Sequence, residues 1–163
     1  MGRRLSRRPL LSKTTNERMF LGQFKYTTDT KGRLTIPVRF RAALAPGAYL
    51  IQGFERHLIV HTSENFHGMA KKASALSSTQ PGARAVRRVI FGGATEVALD
   101  SAGRINIPPF LRDYAGLDGE VYLVGVGESF EIWRAEEWEK QLQSVTDPEA
   151  NAQRFADFDL STG

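Results

Sequence analysis

The feature that most constrains this chain is a repeat. Asp29-Thr30-Lys31-Gly32-Arg33-Leu34-Thr35-Ile36-Pro37 returns as Asp100-Ser101-Ala102-Gly103-Arg104-Ile105-Asn106-Ile107-Pro108, 71 residues later (100 less 29). The spacing holds outward, with Phe20, Gly22 and Arg41 falling on Phe91, Gly93 and Arg112. One residue inserted in the second copy then aligns Gly53, Leu58, Val60 and Phe66 with Gly125, Phe130, Ile132 and Trp138. At 163 residues the chain can bury one core or two small intertwined ones, so the copies are expected to form one compact body.

Each copy carries the same local signals. Phe24 to Thr28 is aromatic and β-branched, Asp29 to Gly32 has turn chemistry, and Leu34 and Ile36 alternate with Arg33 and Thr35, which predicts a hairpin. Pro37 suits the first helical position because its missing N–H would be unpaired there, and the short helix through Arg39, Phe40, Arg41 and Leu44 stops at Pro46-Gly47. Tyr49 to Gly53 and His57 to Thr62 read as strands, and Ser63 as the N-cap of a helix through Phe66, Met69 and Lys72. The second copy repeats this order, with strands near Glu96 to Leu99, Arg104 to Ile107, Glu120 to Val126 and Phe130 to Trp133 and a helix from about Glu136.

Between the copies, Ser77 to Gly82 is a loop. Ala83 to Phe91 then sets Val86, Val89 and Ile90 on one helical face and Arg84, Arg87 and Arg88 on the other. The expected organisation is a basic disordered extension over 1–18, a first unit over 19–76, and a linker with a basic amphipathic helix over 77–92. A second unit over 93–143 and a polar C-terminal tail over 144–163 complete it.

No stretch approaches the roughly 18 apolar residues of a membrane span, and the arginines at positions 3, 4, 7 and 8 precede no apolar run of the secretory kind. The chain has no cysteine, hence no disulfide framework, thiolate zinc site or cysteine nucleophile. These features point to the cytoplasm. The net charge of +4 is unevenly spread: residues 19–90 hold 11 basic and 3 acidic groups, and residues 91–163 hold 5 and 14. A basic first half and an acidic second half suit a nucleic-acid face on the first, and pairing between the halves of neighbouring subunits in a head-to-tail ring.

Met19-Phe20-Leu21-Gly22, the Asp29-Thr30-Lys31-Gly32-Arg33-Leu34 run, Arg87-Arg88 before Phe91-Gly92-Gly93, and Asp100-Ser101-Ala102-Gly103-Arg104 together resemble the MraZ family, in the AbrB and SpoVT swapped-hairpin superfamily. The resemblance covers residues 19 to about 143. It implies an α+β, β-rich fold in which two tandem AbrB-like units interlock as a pseudo-two-fold barrel flanked by short helices. It also implies a ring-shaped homo-oligomer that binds direct repeats in promoter double-stranded DNA, represses its own operon in the division and cell-wall gene cluster, and associates with the nucleoid. Family members start where Met19 stands, so residues 1–18 are an extension or a misplaced start codon.

The candidate DNA-binding residues are Lys31, Gly32, Arg33 and Arg104, with Arg39 and Arg41. Positive φ at Gly32 would project its neighbours outward; Arg can then take a guanine edge bidentately while Lys neutralises a phosphate. The structural alternative is that Asp29 and Arg33, like Asp100 and Arg104, clasp each other across the turn. Arg84, Arg87 and Arg88 are candidates for phosphate contacts on the same face as the turns. His57 and His61, about 13 Å apart along a strand, are too distant to share a metal. No cofactor, metal, membrane or small-molecule substrate is expected.

Two other classes compete. An antitoxin-like partner protein would share the fold, but such proteins carry one copy and a toxin-binding tail. The two Asp residues are also similar to the proton-sharing pair of aspartic proteases, yet each is followed by an Arg that would hold it ionised.

Overall fold

The computed structural model describes residues 19–162, so the extension expected at 1–18 lies outside the described residues. Eight strands and six helices follow one another among these residues. The first copy supplies β1 (Gln23–Thr27), β2 (Arg33–Thr35), α1 (Val38–Leu44), β3 (Ala48–Gln52), β4 (Leu58–Thr62) and α2 (Ser63–Ser74). After the connecting α3 (Pro81–Gly92), the second supplies β5 (Thr95–Val97), β6 (Arg104–Asn106), α4 (Pro109–Ala115), β7 (Glu120–Gly125), β8 (Ser129–Arg134) and α5 (Ala135–Val145). The fold is α+β and sheet-rich. Inside the tail read as polar, α6 (Pro148–Arg154) forms, begun by Pro148 at its first turn and by Asp147, whose carboxylate accepts the Glu149 and Ala150 N–H groups.

The predicted hairpin does not form as a pair. The turn closes with Asp29 N–H on Arg33 O, then its arms separate. β1 pairs antiparallel with β7, β2 with β6, and β5 with β3, so these strands find partners in the opposite copy. The six-stranded sheet has the order β1-β7-β8-β4-β3-β5, and β2-β6 is a separate two-stranded ribbon. Exchanging each strand for its repeat equivalent reproduces that order backwards. The registers agree: Leu34 faces Ile105 in the ribbon and Ile59 faces Glu131 in the sheet, each pair made of repeat-equivalent residues. A pseudo-two-fold axis therefore runs through both pairs. The sheet is open, with β1 and β5 as its edges.

Alternation along the strands divides the molecule into layers. Leu50, Leu58, Val60, Val121, Leu123, Phe130 and Ile132 face a core shared with Leu34 and Ile105 of the ribbon and with Phe40 and Leu111 of α1 and α4. Phe20, Phe40 and Phe130 meet there with ring centroids 5.0–5.2 Å apart. On the other face of the sheet, Ile51 packs with Phe66 of α2 and Ile90 of α3, while Val124 and Trp133 pack with Trp138 of α5. The ribbon and the α2–α3 hairpin thus lie on opposite sides of the sheet. This corrects the expectation that Arg84, Arg87 and Arg88 share a face with the turns: the apolar side of α3 is drawn to the outer sheet face, and its basic side goes with it.

Candidate nucleic-acid interface

The Asp-x-x-Gly-Arg motif builds a closed turn from its own side chain. Asp29 Oδ1 accepts the Lys31 N–H at 2.9 Å and the Arg33 N–H at 2.8 Å, and Oδ2 accepts Arg33 Nε–H at 2.6 Å. In the second copy Asp100 Oδ1 accepts Ala102 N–H and Arg104 N–H, each at 2.9 Å, and Oδ2 accepts Arg104 Nε–H at 2.8 Å. These bonds, the Arg backbone N–H foremost, hold both carboxyls below the usual aspartate range. The clasp weighed as an alternative for Arg33 is therefore present in both copies. It uses only the Nε edge. Among the described residues the Nη groups of Arg33 and Arg104 make no hydrogen bond, and both side chains are about a third exposed.

Gly32 and Gly103 have φ of +78° and +74°. A further constraint comes from across the pseudo-axis. A Cβ on Gly32 would lie 2.6 Å from Nε of Arg112, and one on Gly103 would lie 2.2 Å from Cζ of Arg41. Each glycine is a floor on which the other copy's arginine lies. Arg41 Nε donates to Ile36 O at 2.9 Å, whereas Arg112 Nε is buried without a partner. Arg41 is thus half-buried in an internal contact, and Arg112 takes the matching place, which the reading of single turns missed. Its signal was the alignment of Arg41 with Arg112 in the repeat.

Ribbon pairing brings the two turns onto one surface. Arg33 faces Asn106 and Thr35 faces Arg104, so these four side chains share the outer face while Leu34 and Ile105 point into the core. Arg33 and Arg104 are diagonal neighbours, a relation that places residues roughly 7–8 Å apart, within reach of two long side chains. Lys31 is exposed beside Arg33. Arg39 and Arg41 are not beside it. Ile36 N–H bonds Gly103 O, so α1 starts at the second turn and carries Arg39 and Arg41 to the Arg104 end. Arg39 is exposed there, its guanidinium 5.7 Å from the Phe24 ring centroid. The Lys31 end instead borders a cleft lined by Arg112, Asp113, Leu117 and Asp118 of the second copy.

The other candidates have different surroundings. Arg87 donates through Nε to Ala73 O at 3.1 Å and through Nη2 to Ser74 O at 2.8 Å, capping the C-terminus of α2. His57 is buried in a stack on Trp133, with Nε2 2.8 Å from Glu131 Oε2. Asp29 and Asp100 stand at opposite ends of the ribbon, each held ionised by its own turn, the reverse of a proton-sharing pair. Among the described residues no helix is long and apolar enough to cross a membrane.

Comparison with known proteins agrees with this anatomy. The family model described as "MraZ protein, putative antitoxin-like" matches twice, over residues 19–89 and 90–159. A protein named transcriptional regulator MraZ from Herpetosiphon aurantiacus is 43% identical over 129 residues, covering 79% of this chain and 90% of the relative. Proteins of the same name from Thermomicrobium roseum and Moorella thermoacetica are 44% and 42% identical, over 85% and 87% of this chain and 98% and 100% of the relatives. With both halves matched in tandem and most of its length shared with these relatives, the chain belongs to the MraZ family.

Proposed function

We propose that this protein is a cytoplasmic, nucleoid-associated transcriptional regulator that reads promoter double-stranded DNA with the outer face of the β2–β6 ribbon. The observation that carries this reading is the pair of diagonal arginines, each fixed through Nε by its own aspartate and each leaving its Nη edge free. A side chain held in this way loses little entropy on binding, and a guanidinium edge matches O6 and N7 of guanine. The major groove, about 12 Å wide, admits a two-stranded ribbon. Lys31 and Arg39, exposed at opposite ends, supply phosphate contacts. The names of the relatives support a regulatory role. Direct-repeat operators, repression of its own operon, and a head-to-tail ring of interlocked swapped-hairpin units that engages several repeats at once complete the proposal.

The test compares Arg33→Ala with Arg104→Ala on the DNA upstream of the protein's own gene. The clasps are nearly identical, so both variants should lose similar melting temperature. Arg33→Ala should lose operator recognition, since a bidentate guanine contact is worth about 1–3 kcal/mol and is forfeited at every engaged subunit. Arg104→Ala should lose less. Normal operator binding by Arg33→Ala, with a lowered melting temperature, would reduce the arginine to its clasp.

A further inference from the structure

The outer face of the β2–β6 ribbon has four corners, and the arginines occupy only two. Arg33 stands opposite Asn106 and Arg104 opposite Thr35, so the arginines lie on one diagonal and Thr35 and Asn106 on the other. Thr35 and Asn106 are repeat equivalents, 71 residues apart (106 less 35). The pseudo-axis therefore relates a hydroxyl to a carboxamide.

The hydrogen bonds fix how close the facing residues stand. Ile36 N–H bonds Gly103 O and Ile107 N–H bonds Gly32 O, each at 2.9 Å, while the backbone N–H and C=O of Arg33 turn back to Asp29. Residues lying between such bonded pairs form the non-hydrogen-bonded pairs of an antiparallel ladder, the closer kind, with Cα atoms roughly 4.5 Å apart. Arg33 and Asn106 are one of these, a spacing that suits two neighbouring bases about 3.4 Å apart. Arg33 is held over its own turn through Nε and does not bond across the pair. Among the described residues the Asn106 carboxamide makes no hydrogen bond, and the residue is exposed where Thr35 is half-buried. Strand stability does not explain it, since asparagine is disfavoured in strands and threonine favoured.

We infer that Asn106 is a further base-reading residue, its carboxamide taking N6 and N7 of an adenine beside the guanine taken by Arg33. This rests on the ribbon reading proposed above and adds a second base to it. A carboxamide carries a donor and an acceptor side by side, which complements the N6–H donor and N7 acceptor that adenine presents in the major groove. The threonine hydroxyl both donates and accepts and so serves several bases. The Arg104–Thr35 pair therefore specifies a guanine and little beside it.

Competition binding tests this on a duplex of the DNA upstream of the protein's own gene and on duplexes with each base pair changed in turn, with thermal melting alongside. Wild type should discriminate at an A·T pair adjoining a G·C pair. Asn106→Thr should melt no lower than wild type, bind the unchanged duplex on the order of tenfold more weakly, and no longer discriminate at that A·T pair. Replacing that adenine by 7-deazaadenine, which lacks the N7 acceptor, should weaken wild type and leave Asn106→Thr unchanged. Discrimination by Asn106→Thr at every pair as in wild type, or an equal loss on unrelated DNA, overturns the assignment. If Arg33→Ala loses operator recognition in that case, reading by the arginines stands without Asn106. If Arg33→Ala also binds normally, reading by the ribbon itself falls.

Discussion

The two ends of the β2–β6 ribbon are built alike and furnished differently. Both have an Asp that ties down three N–H groups, a positive-φ Gly and an Arg held through Nε. Around that frame, the first end has Lys31 where the second has Ala102, and the helix beside the first carries Phe110 and Asp113 where the helix beside the second carries Arg39 and Ala42. Interlocking causes the difference in flanks, since each turn sits beside the helix of the other copy. The repeat has kept the groups that hold the turns together and varied those that face outward. Duplication here retains a scaffold while letting its two exposed edges diverge.

The comparison can be broken most severely at the glycines. Alanine at either position strains the backbone, at a cost of about 1–3 kcal/mol, and must also displace the arginine lying over it. Gly103→Ala should be the worse, because moving Arg41 also breaks its bond to Ile36 O, whereas Arg112 Nε has no bond to lose. Denaturant unfolding of the two variants checks the order. Equal losses would mean that the overlying arginines contribute nothing to the difference.

A smaller effect is expected at the aspartates, and here the ends should agree. The folded carboxyls lie below the unfolded value of about 3.9, so their contribution is complete above roughly pH 4 and is lost as the pH falls through the lower folded value. Asp29→Asn and Asp100→Asn should each lower the melting temperature at neutral pH, by similar amounts. Each should also flatten its fall in acid. A fall in acid as steep as that of the wild type would show that other groups carry the dependence.

The smallest effect on folding sharpens the difference between the ends. Lys31→Ala should leave melting unchanged and reduce the slope of log affinity against log salt by nearly one unit for each lost phosphate contact, on operator and unrelated DNA alike. Ala102→Lys should raise it. An unchanged slope in both variants would remove the lysine from the interface.

Much of this frame is legible in the residues themselves. The repeat gave the offset between equivalent elements, and alternation placed Leu34 and Ile36 on one face of their strand, which is the core face, where they are 0% exposed. Helix starts were displaced by one residue: Pro37 precedes α1 as its cap, and Thr62 rather than Ser63 accepts the Asn65 N–H. Strand partners were not legible. Periodicity says which side chains are buried but not which backbone edge completes the ladder, so a turn between two strands was read as a hairpin although its arms pair elsewhere. The same gap hid the candidate site's true neighbours. Arg39 and Arg41 lie close to Arg33 in sequence yet flank Arg104 in space, and Arg112, far away in sequence, lies on Gly32. The face taken by α3 depended on which side of the sheet received Val86 and Ile90, a choice that an amphipathic pattern leaves open.

Pairing of β1 with β7 has a consequence for synthesis. Gln23 meets Val124, about 100 residues further along, which at translation rates of roughly 5–20 residues per second arrives some 5–20 seconds later. Until the second half follows, the first half leaves the ribosome with β1, β2 and one edge each of β3 and β4 unpaired, a state open to pairing with the same half of another nascent chain on the message. Since the halves repeat one order of elements, such a mispaired product would offer each strand a partner of the equivalent kind. The divergence between the copies therefore also separates folding within one chain from exchange between two.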